Sequence, residues 1–194
     1  MGKYEIIERE TVWEGTYLRC RKITYRDFAG VVRAWETVER VNCDGIVAIV
    51  PITDDGDIIL IRQFRPTVNN YVIEFPAGLS NRGESLMDAA KRELREETGY
   101  ESAEMLFLAA GPLSSGSSCE GLTVYLAKGL HFRGIQGRDE TEDIEVFKIP
   151  LKTVHEEMAK FVKEGNCIDL KIYGFIELAK KHAGLSEDRD DRVE

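Results

Sequence analysis

The chain has 194 residues, 43% of them apolar and 31% charged, and a formal net charge of −9. That is enough apolar chain for one main domain with a sizeable core and a modest extension. No apolar run approaches the ~20 residues needed to cross a bilayer, and the acidic balance excludes general nucleic-acid binding, which relies on basic patches that displace counterions from phosphate. The opening MGKYEIIERETVWEG has neither the apolar core nor the cleavage site of a signal peptide, so a cytoplasmic location is expected. Cys20, Cys43, Cys119 and Cys167 are scattered without a CxxC pair and read as reduced thiols, and His131, His155 and His182 form no ligand spacing.

In chain order, residues 4–41 alternate apolar and polar positions in YLRCRKITY and VVRAWETVER, separated by the turn-like RDFAG, which predicts an antiparallel hairpin within an N-terminal region spanning 1–43. Asp44-Gly45 marks a break, after which GIVAIVPI and DIILIRQF read as strands around the turn Asp54-Asp55-Gly56-Asp57. YVIEF is a further strand, and others are expected at 104–110, 121–128 and 142–149, with a Gly-, Ser- and Pro-rich loop at 111–120. Leu151, Val154, Met158, Phe161 and Val162 fall at helical spacing before Gly165, and a last helix is expected over about 168–183. A main domain over 44–183 follows, in the α/β class with a mixed sheet between helices; 184–194, ending SEDRDDRVE, reads as a tail.

The most informative segment is GLSNRGESLMDAAKRELREETGY, from Gly78 to Tyr100. A helix here puts Glu93 and Glu97 on one face, four residues apart, with Glu96 one turn from Glu93. Like charges at these spacings repel. A bare Glu-Glu pair is more often a solvated face, but three crowded carboxylates are most simply compensated by a divalent cation. Hard oxygen ligands without histidine or cysteine select Mg²⁺, with Mn²⁺ as a substitute. Leu86, Ala90 and Leu94 form an apolar stripe that can pack inward while the glutamates face a site. Gly99 suits a helix C-cap.

Gly78, Glu84 after five residues, Arg92-Glu93-Leu94 after seven more, then Glu96-Glu97 and Gly99 resemble the Nudix box at every fixed position. Tyr100 stands where the box usually has an aliphatic residue. The resemblance implies a metal-dependent hydrolase with the Nudix α/β/α sandwich and mixed sheet, here preceded by a small antiparallel N-terminal β-sheet region. It also implies that Glu84 and Arg92 brace the loop and helix through ion pairs, that Glu93, Glu96 and Glu97 are metal ligands, and that the carbonyl of Ala77 is another.

Outside the box, Arg33-Ala34-Trp35-Glu36-Thr37-Val38-Glu39-Arg40, Ile61-Arg62-Gln63-Phe64-Arg65-Pro66 and Ile73-Glu74-Phe75-Pro76-Ala77-Gly78 are similar to the ADP-ribose and nucleoside-diphosphate-sugar pyrophosphatase branch. That similarity implies a homodimer that exchanges its N-terminal sheet, with both subunits contributing to each site. It implies Trp35 and Tyr17 as an aromatic pair that sandwiches adenine, Glu36 and Arg40 as polar contacts to base or phosphates, Arg65 as a phosphate contact and Leu79 as a lining residue. The acidic loop Gly137-Arg138-Asp139-Glu140-Thr141-Glu142 is expected to supply the catalytic base, Glu142 being closer to metal and Glu140 orienting water. Many ADP-ribose hydrolases carry a proline where this chain has Ser115, its own proline being Pro112, so UDP- or GDP-sugars and oxidised nucleoside diphosphates stay open beside ADP-ribose. A Nudix-fold sensor that binds without hydrolysis is the alternative from another class, opposed by the intact glutamates.

Overall fold

A computed structural model of the protein describes residues 3–135, 137 and 143–182. It begins with a three-stranded antiparallel sheet in the order β1 (Glu5–Glu14), β2 (Leu18–Arg26), β3 (Val32–Arg40). The β2–β3 turn is built by Asp27, whose carboxylate accepts from the backbone of Ala29 and Val31 and from Arg33 Nε at 2.6 Å, while Gly30 takes φ +82°. The expected hairpin is thus β2–β3. The additional strand β1 is irregular: pairing shifts between Ile6 and Glu8 and between Thr11 and Trp13 break the period-two pattern that would have marked it.

Two four-stranded sheets follow. One runs β7 (Ala77–Leu79), β4 (Ile46–Pro51), β9 (Gly121–Phe132), β8 (Tyr100–Pro112); the other runs β10 (Ile144–Pro150), β5 (Asp57–Arg65), β6 (Asn70–Glu74), β11 (Cys167–Ile168). β4 pairs parallel with β9, and β6 with β11, while the remaining pairings are antiparallel. β4 reads as an unbroken apolar run because both its faces are covered, and every residue in it is buried. β7 and β11 are too short to carry a periodic signal. β8 extends through Pro112 into the segment expected to be loop.

Three helices cover the sheets: α1 (Leu86–Thr98), α2 (Val154–Lys163) and α3 (Lys171–His182). Val154, Met158 and Phe161 of α2 and Ile172, Ile176 and Ala179 of α3 join Ile58, Leu60 and Ile73 and the Ala48–Val50 face of β4 in one apolar core. Ala89, Ala90 and Leu94 of α1 pack on the opposite side of β4, against Val47, Ile49 and Tyr125. This is the expected α/β/α layering with a mixed sheet. No helix among the described residues is long and apolar enough to cross a membrane.

Candidate active site

α1 is sharply bounded. The Ser85 hydroxyl accepts from the Asp88 N–H at 3.1 Å and caps the N-terminus, while Gly99, at φ 77°, ends the helix by donating its N–H to the Arg95 carbonyl. The expected inward stripe forms, and the last two turns carry the glutamates to the edge of β7. Glu97 is only 4% exposed, and its Oε2 accepts from the Ala77 N–H at 2.9 Å, which ties the helix end to the strand. Glu93 lies directly over Gly78: a Cβ there would come within 2.0 Å of the Glu93 carboxylate carbon. The glycine of the box is therefore required by the close approach of a side chain, and its φ is not positive.

One guanidinium organises the cluster. Arg92 Nη1 donates to Glu93 Oε1 at 2.8 Å and to Glu96 Oε2 at 3.0 Å, its Nε and Nη2 grip Glu84 at 2.9 and 3.0 Å, and Nη2 also reaches the Leu79 carbonyl at 2.9 Å. The hydrogen bonds that Arg92 donates to Glu84 first, then to Glu93 and Glu96, raise its pKa above its already high ordinary value against the opposing effect of burial. Glu84 is held below the usual carboxylate range by Arg92 first and by the Asn81 N–H as well, despite partial burial. The brace formed by Glu84 and Arg92 is as the motif implies. Among the described residues no three His, Cys, Asp or Glu side chains converge on one point; Arg92 draws Glu93 and Glu96 to itself. The donor set, carboxylate oxygens without nitrogen or sulfur, one of them packed directly over Gly78, fits a hard divalent cation that would compete with Arg92 for them.

The remaining predicted residues fall in two places. Arg65 makes a bidentate pair with Glu74, both bonds 2.7 Å, and Leu79 lies at the end of β7 beside Arg92. Trp35, Glu36 and Arg40 lie on β3, and Tyr17 in the turn before β2. Trp35 is 52% and Tyr17 80% exposed, so neither is a core residue. The segment 113–120 docks along β3: Gly116 O accepts from Trp35 Nε1 at 3.0 Å, Ser117 O from the Val38 N–H at 2.9 Å, and Glu120 from Arg40 N and Nη1 at 2.6 and 2.7 Å. β3 pairs Arg40 with Leu18, next to Tyr17, and the five residues back to Trp35 span about 17 Å of strand. One chain therefore does not bring Trp35 and Tyr17 to the two faces of a single base. Glu140 and Glu142 lie outside the described residues. Sequence reasoning missed Glu74 and Glu120, the partners of Arg65 and Arg40; for Glu74 the signal was an acidic residue inside the apolar run YVIEF. Cys119 is no candidate nucleophile, since burial and then the Glu39 carboxylate push its thiol pKa up.

The NUDIX domain matches residues 44–165 of this chain. The chain belongs to the Nudix family. An uncharacterised Nudix hydrolase of Schizosaccharomyces pombe is 35% identical over 177 residues, 85% of each chain. The ADP-ribose pyrophosphatase of Bacillus subtilis is 35% identical over 134 residues, covering 69% of this chain and 70% of that one. The solved structure of an ADP compounds hydrolase superposes with a TM-score of 0.76 at 25% identity, covering 96% of this chain and 98% of that one. The agreement extends through the N-terminal sheet as well as the Nudix domain.

The depressed Glu84 pKa sets a sign for acid stability. Its pairing with Arg92 contributes fully above the ordinary value of 4.5 and is lost as pH falls through the lowered folded value. Glu84→Gln is expected to lower the melting temperature at pH 7 and to flatten its decline below pH 4.5. A melting series from pH 7 to 3 on both proteins checks this; parallel curves would contradict it.

Proposed function

We propose that this Nudix hydrolase cleaves the pyrophosphate of ADP-ribose, giving AMP and ribose 5-phosphate, with Mg²⁺ as cofactor and Mn²⁺ as a substitute. The observation that carries this reading is the trio Glu93, Glu96 and Glu97 at the end of α1, the first two held by Arg92 and the third by the Ala77 N–H, with the Glu93 carboxylate lying against Gly78. The adenine nucleotide is supported by the names of relatives, among them the Bacillus subtilis ADP-ribose pyrophosphatase and the ADP-sugar pyrophosphatase of Mus musculus, the latter 40% identical over 107 residues and about half of each chain. Those names make ADP-sugars the first alternative, ahead of UDP- or GDP-sugars and oxidised nucleoside diphosphates.

In this mechanism Glu93, Glu96, Glu97 and the Ala77 carbonyl would hold the metal. When bound, Mg²⁺ would neutralise phosphate charge and lower the pKa of water near it. Glu97 is held by the Ala77 N–H, and Arg92 holds Glu93 and Glu96 through hydrogen bonds. Arg65 and Arg40, already positioned by Glu74 and Glu120, turn donors to the phosphates, a role that suits a planar fork. Glu36 would contact the base or phosphates, Leu79 would line the cleft, and Glu140 and Glu142 are the candidates to take the proton of the attacking water, Glu140 orienting that water and Glu142 being the nearer to the metal. The water oxygen bonds to one phosphorus as the bridging P–O bond breaks, and the leaving phosphate takes the electron pair. Most of the catalytic effect is positioning and charge stabilisation.

The same proposal includes a homodimer with an exchanged N-terminal sheet in the cytoplasm. Every residue of β1 is exposed, and Ile6, Ile7, Val12, Trp13, Val32 and Trp35 present an apolar surface that an isolated sheet does not cover. The separation of Tyr17 from Trp35 within one chain is also resolved if each adenine is clasped by one ring from each subunit.

Phosphate release from ADP-ribose, ADP-glucose, UDP-glucose and GDP-mannose with Mg²⁺, after phosphatase treatment of the products, and directly from 8-oxo-dGDP without phosphatase, tests the reading. Glu97→Gln keeps an acceptor for the Ala77 N–H but removes the charge, so it is expected to fold normally and lose more than about 100-fold in kcat. Turnover of none of the five by wild type would favour the sensor, and near-wild-type kcat in the variant would remove Glu97 from the metal. Trp35→Ala should raise KM for ADP-ribose roughly 5- to 150-fold, matching ~1–3 kcal/mol of base stacking, with a small change in melting temperature because the ring is half exposed. An unchanged KM with a large loss of stability would take Trp35 out of the site.

A further inference from the structure

β5 has two dissimilar faces. Ile58 and Leu60 point into the core shared with α2 and α3, as does Ile73 of the neighbouring β6. The alternate residues Ile59, Ile61, Gln63 and Arg65 therefore face the other way, toward α1, which packs against β5 and β10. Register places Ile61 opposite Glu74, and Gln63 opposite Val72 on one side and Ile144 on the other. Directly paired residues share a face, so Gln63 lies between apolar neighbours and the Arg65–Glu74 pair, on the side of the sheet where α1 carries its glutamates.

Gln63 is 7% exposed, and its carboxamide oxygen is fully buried without a hydrogen-bond partner among the described residues. A buried acceptor of this kind costs folding free energy, because it gives up water and gains nothing. A methionine or leucine would fill the same strand position without that cost. An unmet acceptor in a strand position facing α1 is free to receive a donor that arrives from outside the protein.

We propose that Gln63 is a positioning residue for the hydrolysis, its carboxamide oxygen accepting a hydrogen bond from an O–H group that arrives with the substrate. This rests on the pyrophosphatase reading above. Two sources share the chemistry: the attacking water, and a hydroxyl of the terminal sugar. The Arg65–Glu74 pair beside it supplies donors for phosphate oxygens, and Gln63 supplies the acceptor that an arginine cannot.

The test compares wild type with Gln63→Met, a near-isosteric change that deletes the acceptor. Without ligand, the variant is expected to melt about 2–4 °C higher, since the unmet polar atom is gone. With Mg²⁺ and ADP-ribose, kcat/KM is expected to fall about 3- to 10-fold, the range for one lost neutral hydrogen bond. Calorimetry with the non-hydrolysable α,β-methylene analogue of ADP-ribose then separates the sources. An unchanged Kd with reduced kcat assigns the water, and a weakened Kd assigns the sugar hydroxyl. A variant that melts lower or fails to fold, or that turns over as fast as an active wild type, would overturn the proposal and show a structural glutamine. An inert wild type would instead overturn the pyrophosphatase reading, and the role of Gln63 with it.

Discussion

The repulsion among Glu93, Glu96 and Glu97 on the last two turns of α1 is the constraint to which the rest of the site answers. Three carboxylates so close are stable only if something positive or hydrogen-bonding meets each of them. Arg92 meets two through a single nitrogen, and the backbone of Ala77 meets the third. Glu84 then holds Arg92 from the loop side, so strand, loop and helix are one electrostatic unit. Among the described residues the three carboxylates do not converge on one point, so a cation proposed to bind here would have to draw Glu93 and Glu96 away from Arg92.

A second brace links the N-terminal sheet to the catalytic domain. The segment 113–120 runs beside β3 and holds Trp35 through the Gly116 carbonyl, Thr37 and Val38 through Ser117, and Arg40 through Glu120. Residues proposed to recognise the base and phosphates are thus oriented by the same loop that joins β8 to β9, which lies in the sheet under α1.

Local signals explain what was legible in the sequence. The box helix announced itself through its stripe Leu86–Ala90–Leu94 and its cap Gly99, and the long strands β4, β5 and β9 through continuous or alternating apolar runs. β1 lacked that signal because two bulges reset its alternation, and β7 and β11 were too short to hold one. Within the site, the motif implied that Glu84 and Arg92 pair. Glu74 and Gln63 were passed over for a different reason: a polar residue in a strand normally marks a solvent face, whereas both of these are buried. Glu120 was hidden because its partner Arg40 is 80 residues away in sequence.

The central claim is that the close fit of β7 against α1 sets the carboxylates for a divalent cation, and Gly78→Ala tests it most directly. The added methyl would meet only the far end of the Glu93 side chain, so the fold should tolerate it while the carboxylate is pushed aside. Calorimetric titration with Mn²⁺, paired with ADP-ribose turnover, is the measurement. The account predicts weakened Mn²⁺ binding and about a 100-fold loss of turnover, the scale of an ångström of misplacement, with a nearly unchanged melting temperature. Wild-type Mn²⁺ affinity and turnover in a folded Gly78→Ala protein would contradict it.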